Sequence, residues 1–335
     1  MHRKILIALL AMTSLATAVS FSTRTVAQVR EPLHLTQARG TPVVVKELTG
    51  FAGAITDVAV SPDGQTLLVA SGDGRIAAIA LDSAQEVYNR TFPSRPNALA
   101  VSPDGRISAV AVGEEIITFR SNDGDRTATL RGHTGKVSAL AISPDNRLLV
   151  SVSASDRTIR IWDIEDEDLL ETLGGNVGPE TSVAFSPDGQ FFVTGAIAED
   201  RTIKLWDAQN FQLLKTSQQQ PGFIYDVAIT PDGRQIVAAV RNLVKVWDFN
   251  SGEELFSLKG VSLDLNAIAI SPDGRTIASA NKEGTITLWD IATGRSIGTL
   301  KGHRGWVLSL AFSPDGRYLY SGAEDKIVKI WQLSQ

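Results

Sequence analysis

The 335-residue chain contains no cysteine. That absence excludes disulfides, lipid-modified cysteines and thiolate metal sites, so the fold must be held by packing alone. Histidine is almost as scarce. Of the four, His2 and His34 lie near the start, leaving His133 and His303, too few for an imidazole metal centre. Positive charge is also short, with 32 Lys and Arg against 37 Asp and Glu. This balance argues against nucleic acid as the main partner, because phosphate binding needs concentrated cations. No phosphate-cradling glycine loop and no dinucleotide fingerprint occurs. The longest apolar stretch, Ile5 to about Val19, is diluted by Thr13, Ser14 and Thr17. It falls short of the roughly 20 residues that span a bilayer.

That stretch has another use. Arg3 and Lys4 precede it and small residues follow it, the pattern of a cleaved export signal over residues 1–27, with cleavage after Ala18, Ser20 or Ala27. The expectation is a periplasmic or extracellular protein with no stable membrane span after cleavage. Removing these residues takes away Arg3, Lys4 and Arg24 and no acid, which makes the remainder more acidic. Residues 28–40 show neither strong periodicity nor a charge block and read as a linker or loosely attached tail. The whole chain is 43% hydrophobic and 21% charged, values of a globular protein able to build a core.

What dominates the remainder is a repeat. "SPDG" begins at 61, 102, 186, 271 and 313, with "SPDN" at 143 and "TPDG" at 230, at intervals of 41 to 44 residues. Proline presets φ at the second turn position, aspartate tolerates the third, and glycine supplies the conformation that returns the chain as a hairpin. Short apolar runs flank each turn, such as "VSALAIS" and "RLLVSVS". A third run carries Trp162, Trp206, Trp247, Trp289 and Trp331, and a fourth, such as "SIGTLKGH", leads into the next copy. Four short strands repeated seven times predict an all-β fold: a single seven-bladed β-propeller of four-stranded antiparallel blades over residues 41–335.

The chain resembles the WD-repeat family of β-propellers. The marks are "GH" at 132 and 302, Trp-Asp pairs at 162, 206, 247 and 289, and Asp156, Asp200 and Asp325 six residues before a tryptophan, with Glu283 substituting in one repeat. Ile79 and Phe119 stand where tryptophan is expected, and Phe51 replaces a histidine. "KIVKIWQLSQ" ends the chain as a third strand, while "PVVVKELTGF", residues 42–51, matches the fourth-strand pattern. The N-terminal strand is therefore expected to close the last blade, hiding an open edge.

Two repeats hold a full set, His133, Ser151, Asp156, Trp162 and His303, Ser321, Asp325, Trp331. These residue types suit a Ser-His-Asp hydrolase. The resemblance implies instead a hydrogen-bonded network within each blade, and a set that occurs twice fits a structural role better. The acidic stretches 121–125 and 164–171 read as solvated turns rather than calcium loops. No cofactor and no metal is expected.

The resemblance also implies that partners bind on the face where the first strands begin. Seven residues before each turn stand Ala54, Arg95, Lys136, Pro179, Phe223, Asp264 and Trp306, with Tyr225 two beyond Phe223. Trp306 is the one tryptophan outside the third-strand series, and aromatic and arginine side chains dominate binding hot spots. The expected function is a non-catalytic, monomeric scaffold for a protein or peptide partner. A carbohydrate-binding propeller, favoured by exposed aromatics, is the alternative. A propeller hydrolase or lactonase would need polar residues converging on the channel, and no surplus histidine or paired acids are seen to supply them.

Overall fold

The repeat's turn chemistry explains the first hairpin of each blade. In the computed structural model, residues 29–30, 42–120, 124–174, 178–259 and 264–333 are described. The expected signal segment lies outside them, as does the 28–40 stretch apart from Val29 and Arg30. In the second repeat, Ser102 Oγ donates to Asp104 Oδ1 at 2.6 Å and accepts the Ile107 amide at 2.8 Å, while Asp104 Oδ1 also accepts the Arg106 amide. Gly105, with φ of 71°, occupies the left-handed region that the turn requires. At the corresponding place in the third repeat stands Asn146, φ 66°, a residue type that tolerates that conformation.

Each repeat folds into a four-stranded antiparallel blade. In the third blade, strands Ala139–Ile142, Leu148–Ser153, Thr158–Asp163 and Leu169–Leu173 pair in chain order. Seven such sheets stand around a central channel lined by their first strands. Adjacent side chains point to opposite faces of a strand, so a blade buries two faces. Leu68 and Ala70 pack toward the second blade, Leu67 and Val69 toward the seventh. The core is accordingly seven inter-blade layers, which is why the inner strands are nearly continuous apolar runs.

The last blade is completed from the other end of the chain. Val307–Phe312, Tyr318–Ala323 and Val328–Gln332 are followed in the sheet by Val43–Leu48, with Val44 opposite Trp331 and Leu48 opposite Val328. Glu47 pairs with Lys329 across this junction, and Leu48 and Phe51 are buried at the seam. A two-residue strand, Val29–Arg30, pairs outside Val43–Leu48.

The Trp-Asp pairs divide two tasks. Trp162, Trp289 and Trp331 donate their Nε1 hydrogens to Ser151, Ser279 and Ser321, and Trp206 donates to Thr194. The following aspartate caps the next turn: Asp163, Asp207, Asp248 and Asp290 accept amides from the residues two or three ahead. In the seventh blade Gln332 holds that place, and the fourth strand is Val43–Leu48.

Candidate partner-binding face

The His-Ser-Asp-Trp sets are assembled as chains of hydrogen bonds. His133 Nδ1 lies 2.8 Å from Asp156 Oδ2, its Nε2 lies 2.8 Å from Ser151 Oγ, and Ser151 Oγ accepts Trp162 Nε1–H. His303, Asp325, Ser321 and Trp331 repeat this geometry. Both serines are fully buried, so neither hydroxyl meets a solvent-borne substrate. Burial lowers the His133 pKa and keeps the ring neutral. Burial would raise Asp156 and Asp325, but bonds from their histidines and from loop amides hold both below the ordinary carboxylate range. The Asp156 carboxylate also accepts the Thr134 amide, tying the loop before the first strand to the turn between the second and third.

Other blades meet the same need differently. In the first, Phe51 stands where the histidine would be, and Arg75 lies over its ring at 5.1 Å. In the fourth, buried Lys204 bridges Glu180 at 3.0 Å and Asp200 at 2.6 Å. In the sixth, the turn role expected of Glu283 falls to Asn281, whose Oδ1 accepts the Glu283 and Thr285 amides at 3.0 Å. The shorter Asn281 side chain already sits at the strand end, within reach of both amides.

Two acids line the channel, Asp57 from the first blade and Asp226 from the fifth. They occupy the fourth position before the turn in the first and fifth blades, where the other five blades carry Ala98, Ala139, Ser182, Ala267 and Ser309. Comparing the repeats at that column would have revealed them. Asp57 accepts from Ser309 Oγ and from the Val58 and Leu99 amides; Asp226 accepts from Ser182 Oγ and from the Val227 and Ile268 amides. Each carboxylate thus joins three successive blades. Burial pushes both pKa values up to about 6. The surrounding cavity is about 290 Å³. Because every carboxylate oxygen already accepts a hydrogen bond, the geometry is that of a staple between inner strands.

The face opposite the SPDG-type turns holds the aromatic cluster. Phe223 and Trp306 are 43% and 42% exposed, large for aromatic side chains that could have packed between blades. Phe223 meets Tyr225 edge-on, with ring centroids 6.2 Å apart. Tyr225 is the residue at the irregularity between Ile224 and Asp226 in the first strand of the fifth blade, and bulges re-aim side chains. Lys282 Nζ lies 5.2 Å from the Tyr225 ring and 4.6 Å from the Trp306 ring, bridging blades five and seven from blade six. Asp264 anchors the group, accepting from Tyr225 OH at 3.4 Å and Lys282 Nζ at 3.5 Å, with Arg241 Nε 3.8 Å away. Burial and then the neighbouring Asp264 raise the Tyr225 pKa, so the hydroxyl keeps its proton.

Of the residues singled out in the sequence, Phe223, Tyr225, Asp264 and Trp306 therefore come together. Arg95 and Lys136 are exposed at the same position of blades two and three, apart from the cluster. Lys282 and Arg241 were missed. Both follow directly on second strands, and their amides donate to the Asp264 and Phe223 carbonyls. A basic residue at that column in two successive repeats was the available signal.

Comparison with known proteins agrees with this architecture. The family model of the WD domain, G-beta repeat, matches residues 42–77, 124–163, 168–207, 211–248, 252–290 and 294–332. An uncharacterized WD repeat-containing protein of Synechocystis is 53% identical over 259 residues, covering 77% of this chain and 74% of that protein. The structure supplies seven blades; the second, whose first three strands Pro96–Val101, Ile107–Val112 and Glu115–Arg120 fall in the unmatched stretch 78–123, carries Phe119 in place of tryptophan.

Proposed function

The chain belongs to the WD-repeat family, and from that premise we propose that it acts as a non-catalytic, monomeric scaffold that docks a protein partner on the Phe223–Trp306 face. The observation that carries the reading is the pair of exposed aromatic side chains held at fixed spacing by Tyr225, Lys282 and Asp264. A rigid closed ring presents such a cluster with little ordering cost on binding, which favours affinity. Buried aromatic anchors are also where binding energy concentrates. WD-repeat propellers commonly bind protein partners, and the catalytic-looking serines are buried inside two separate blades.

We further propose that the protein works in the cell envelope or outside the cell, on the strength of the basic, apolar and small-residue order of residues 1–27. Among the described residues no helix is long and apolar enough to cross a membrane.

Two experiments test these readings. Crosslinking and affinity capture of the tagged chain from its own cells, compared with Trp306→Ala, should recover a protein that the variant loses while its melting temperature stays unchanged. Equal recovery by both forms would move the docking site elsewhere. Cell fractionation with N-terminal sequencing of the mature chain should find it exported and cut near Ala18, Ser20 or Ala27; an uncut cytoplasmic chain would refute the location.

A further inference from the structure

The central channel is anionic, with no basic side chain to offset it. Of the residues lining its cavity of about 290 Å³, the ionisable ones are Asp57, Asp226 and Tyr225, and no lysine, arginine or histidine is among them. Tyr225 keeps its proton. The two carboxyls, raised by burial to about 6, are ionised at neutral pH, and the Asp226 charge is itself among the causes that raise Asp57. They occupy the same position of the first strands Ile55–Val60 and Ile224–Ile229, so they stand at one depth in the channel. Blades one and five are three steps apart in a ring of seven, which puts the carboxylates on opposite walls. Each remains partly accessible from the channel.

Two further observations mark a binding site as well as a pair of staples. Asp57 Oδ1 accepts two hydrogen bonds, from Ser309 Oγ and the Val58 amide, and Oδ2 accepts one, from the Leu99 amide; Asp226 repeats this with Ser182, Val227 and Ile268. A carboxylate offers about four acceptor sites, so each Oδ2 keeps one. Beside Asp57, Thr56 lines the same cavity and is only 8% exposed, yet its Oγ1 has no hydrogen-bond partner in the protein. Buried hydroxyls are ordinarily paired. We propose that the channel binds a compact dication carrying its own N–H or O–H donors, a short aliphatic diamine or a hydrated magnesium-type ion, held between Oδ2 of Asp57 and Oδ2 of Asp226 with Thr56 Oγ1 as a third contact. A diamine sets one ammonium against each wall, and a hydrated ion reaches both walls through its waters. A bare metal fits less well, because it needs about six oxygen ligands in direct contact, and no group of three acids or histidines among the described residues could hold it. A neutral or anionic ligand would leave two charges uncompensated.

The test is thermal melting and isothermal titration calorimetry of the full-length chain with 1,4-diaminobutane or magnesium chloride, with sodium chloride and butylamine at matched ionic strength as references. At about pH 7.5 a dication should bind once per chain and raise the melting temperature saturably. At about pH 5 both carboxyls are mostly protonated, so the rise should be largely lost. Asp57→Asn/Asp226→Asn should abolish binding. Thr56→Val removes a hydroxyl that has no partner, so without ligand it should melt like the wild type, and it should bind about fivefold more weakly, which separates lost binding from lost folding. A response to the diamine alone assigns an amine, and one to magnesium alone a hydrated metal, both within the proposal. No response, a response matched by sodium chloride or butylamine, or one that persists at about pH 5 or in the double aspartate variant would overturn it.

Discussion

Ser309 of the seventh blade donates to the Asp57 carboxylate of the first at 2.6 Å, a bond between residues 252 positions apart. Ser182 and Asp226 form the same pair between the fourth and fifth blades at 2.7 Å. Loss of either hydroxyl removes a hydrogen bond to a buried carboxylate, worth about 1.5–3 kcal/mol. Ser309→Ala and Ser182→Ala should therefore lower the free energy of urea unfolding by similar amounts. A null effect for both would show that the staples do not hold the ring.

The two aspartates also predict a pH response. Their carboxyls titrate near 6 in the folded chain and near 4 when unfolded. Between these values the folded state binds more protons, so folding takes protons up. The stability they contribute is greatest below about pH 4 and declines as pH rises through about 6. Carboxyl NMR should give midpoints near 6 for both. The wild type should lose stability between pH 4 and 6 relative to Asp57→Ala/Asp226→Ala, with parallel curves refuting the assignment.

Closure of the last blade can be tested by removal. Deleting residues 28–51 exposes the Val328–Gln332 edge and takes away buried Leu48 and Phe51. The melting temperature should fall by several degrees and solubility should drop. An unchanged thermal transition would contradict the strand exchange.

The two His-Ser-Asp-Trp networks should behave as independent structural units. Ser151→Ala or Ser321→Ala leaves a buried tryptophan N–H and a histidine nitrogen without their partner, costing about 1–3 kcal/mol each. They lie in non-adjacent blades three and seven, so the double variant should lose about the sum. Strong non-additivity in chemical denaturation would mean that the blades communicate.

Gly322 and Gly195 test the tightness of the inter-blade layers. A Cβ on Gly322 would come within 2.4 Å of Ile55 Cγ2, and one on Gly195 within 2.6 Å of Ile224 Cγ2. Gly322→Ala and Gly195→Ala should each destabilise by about 1–3 kcal/mol through overpacking. Neutral substitutions would show that neighbouring blades can separate to admit a methyl group.

The sequence by itself determined the hairpins, the number of blades and the closing strand. Those features are encoded locally: Ser102 and Asp104 make their turn with residues at most five positions away, and the same chemistry recurs in every copy. It also placed Phe223, Tyr225 and Trp306 on one face, because their offset from the turn is fixed within the repeat. The exchange of Glu283 for Asn281 was harder to read, since either side chain suits a turn and only the backbone path decides which one reaches the amides. Tertiary structure alone decided what meets between blades. Lys282 finds its aromatic partners in the blades on either side, and Asp57 finds Ser309 only because the ring closes. Such contacts join residues of different blades, 24 to 252 positions apart, whose proximity is set by the packing and curvature of whole blades rather than by local chain chemistry.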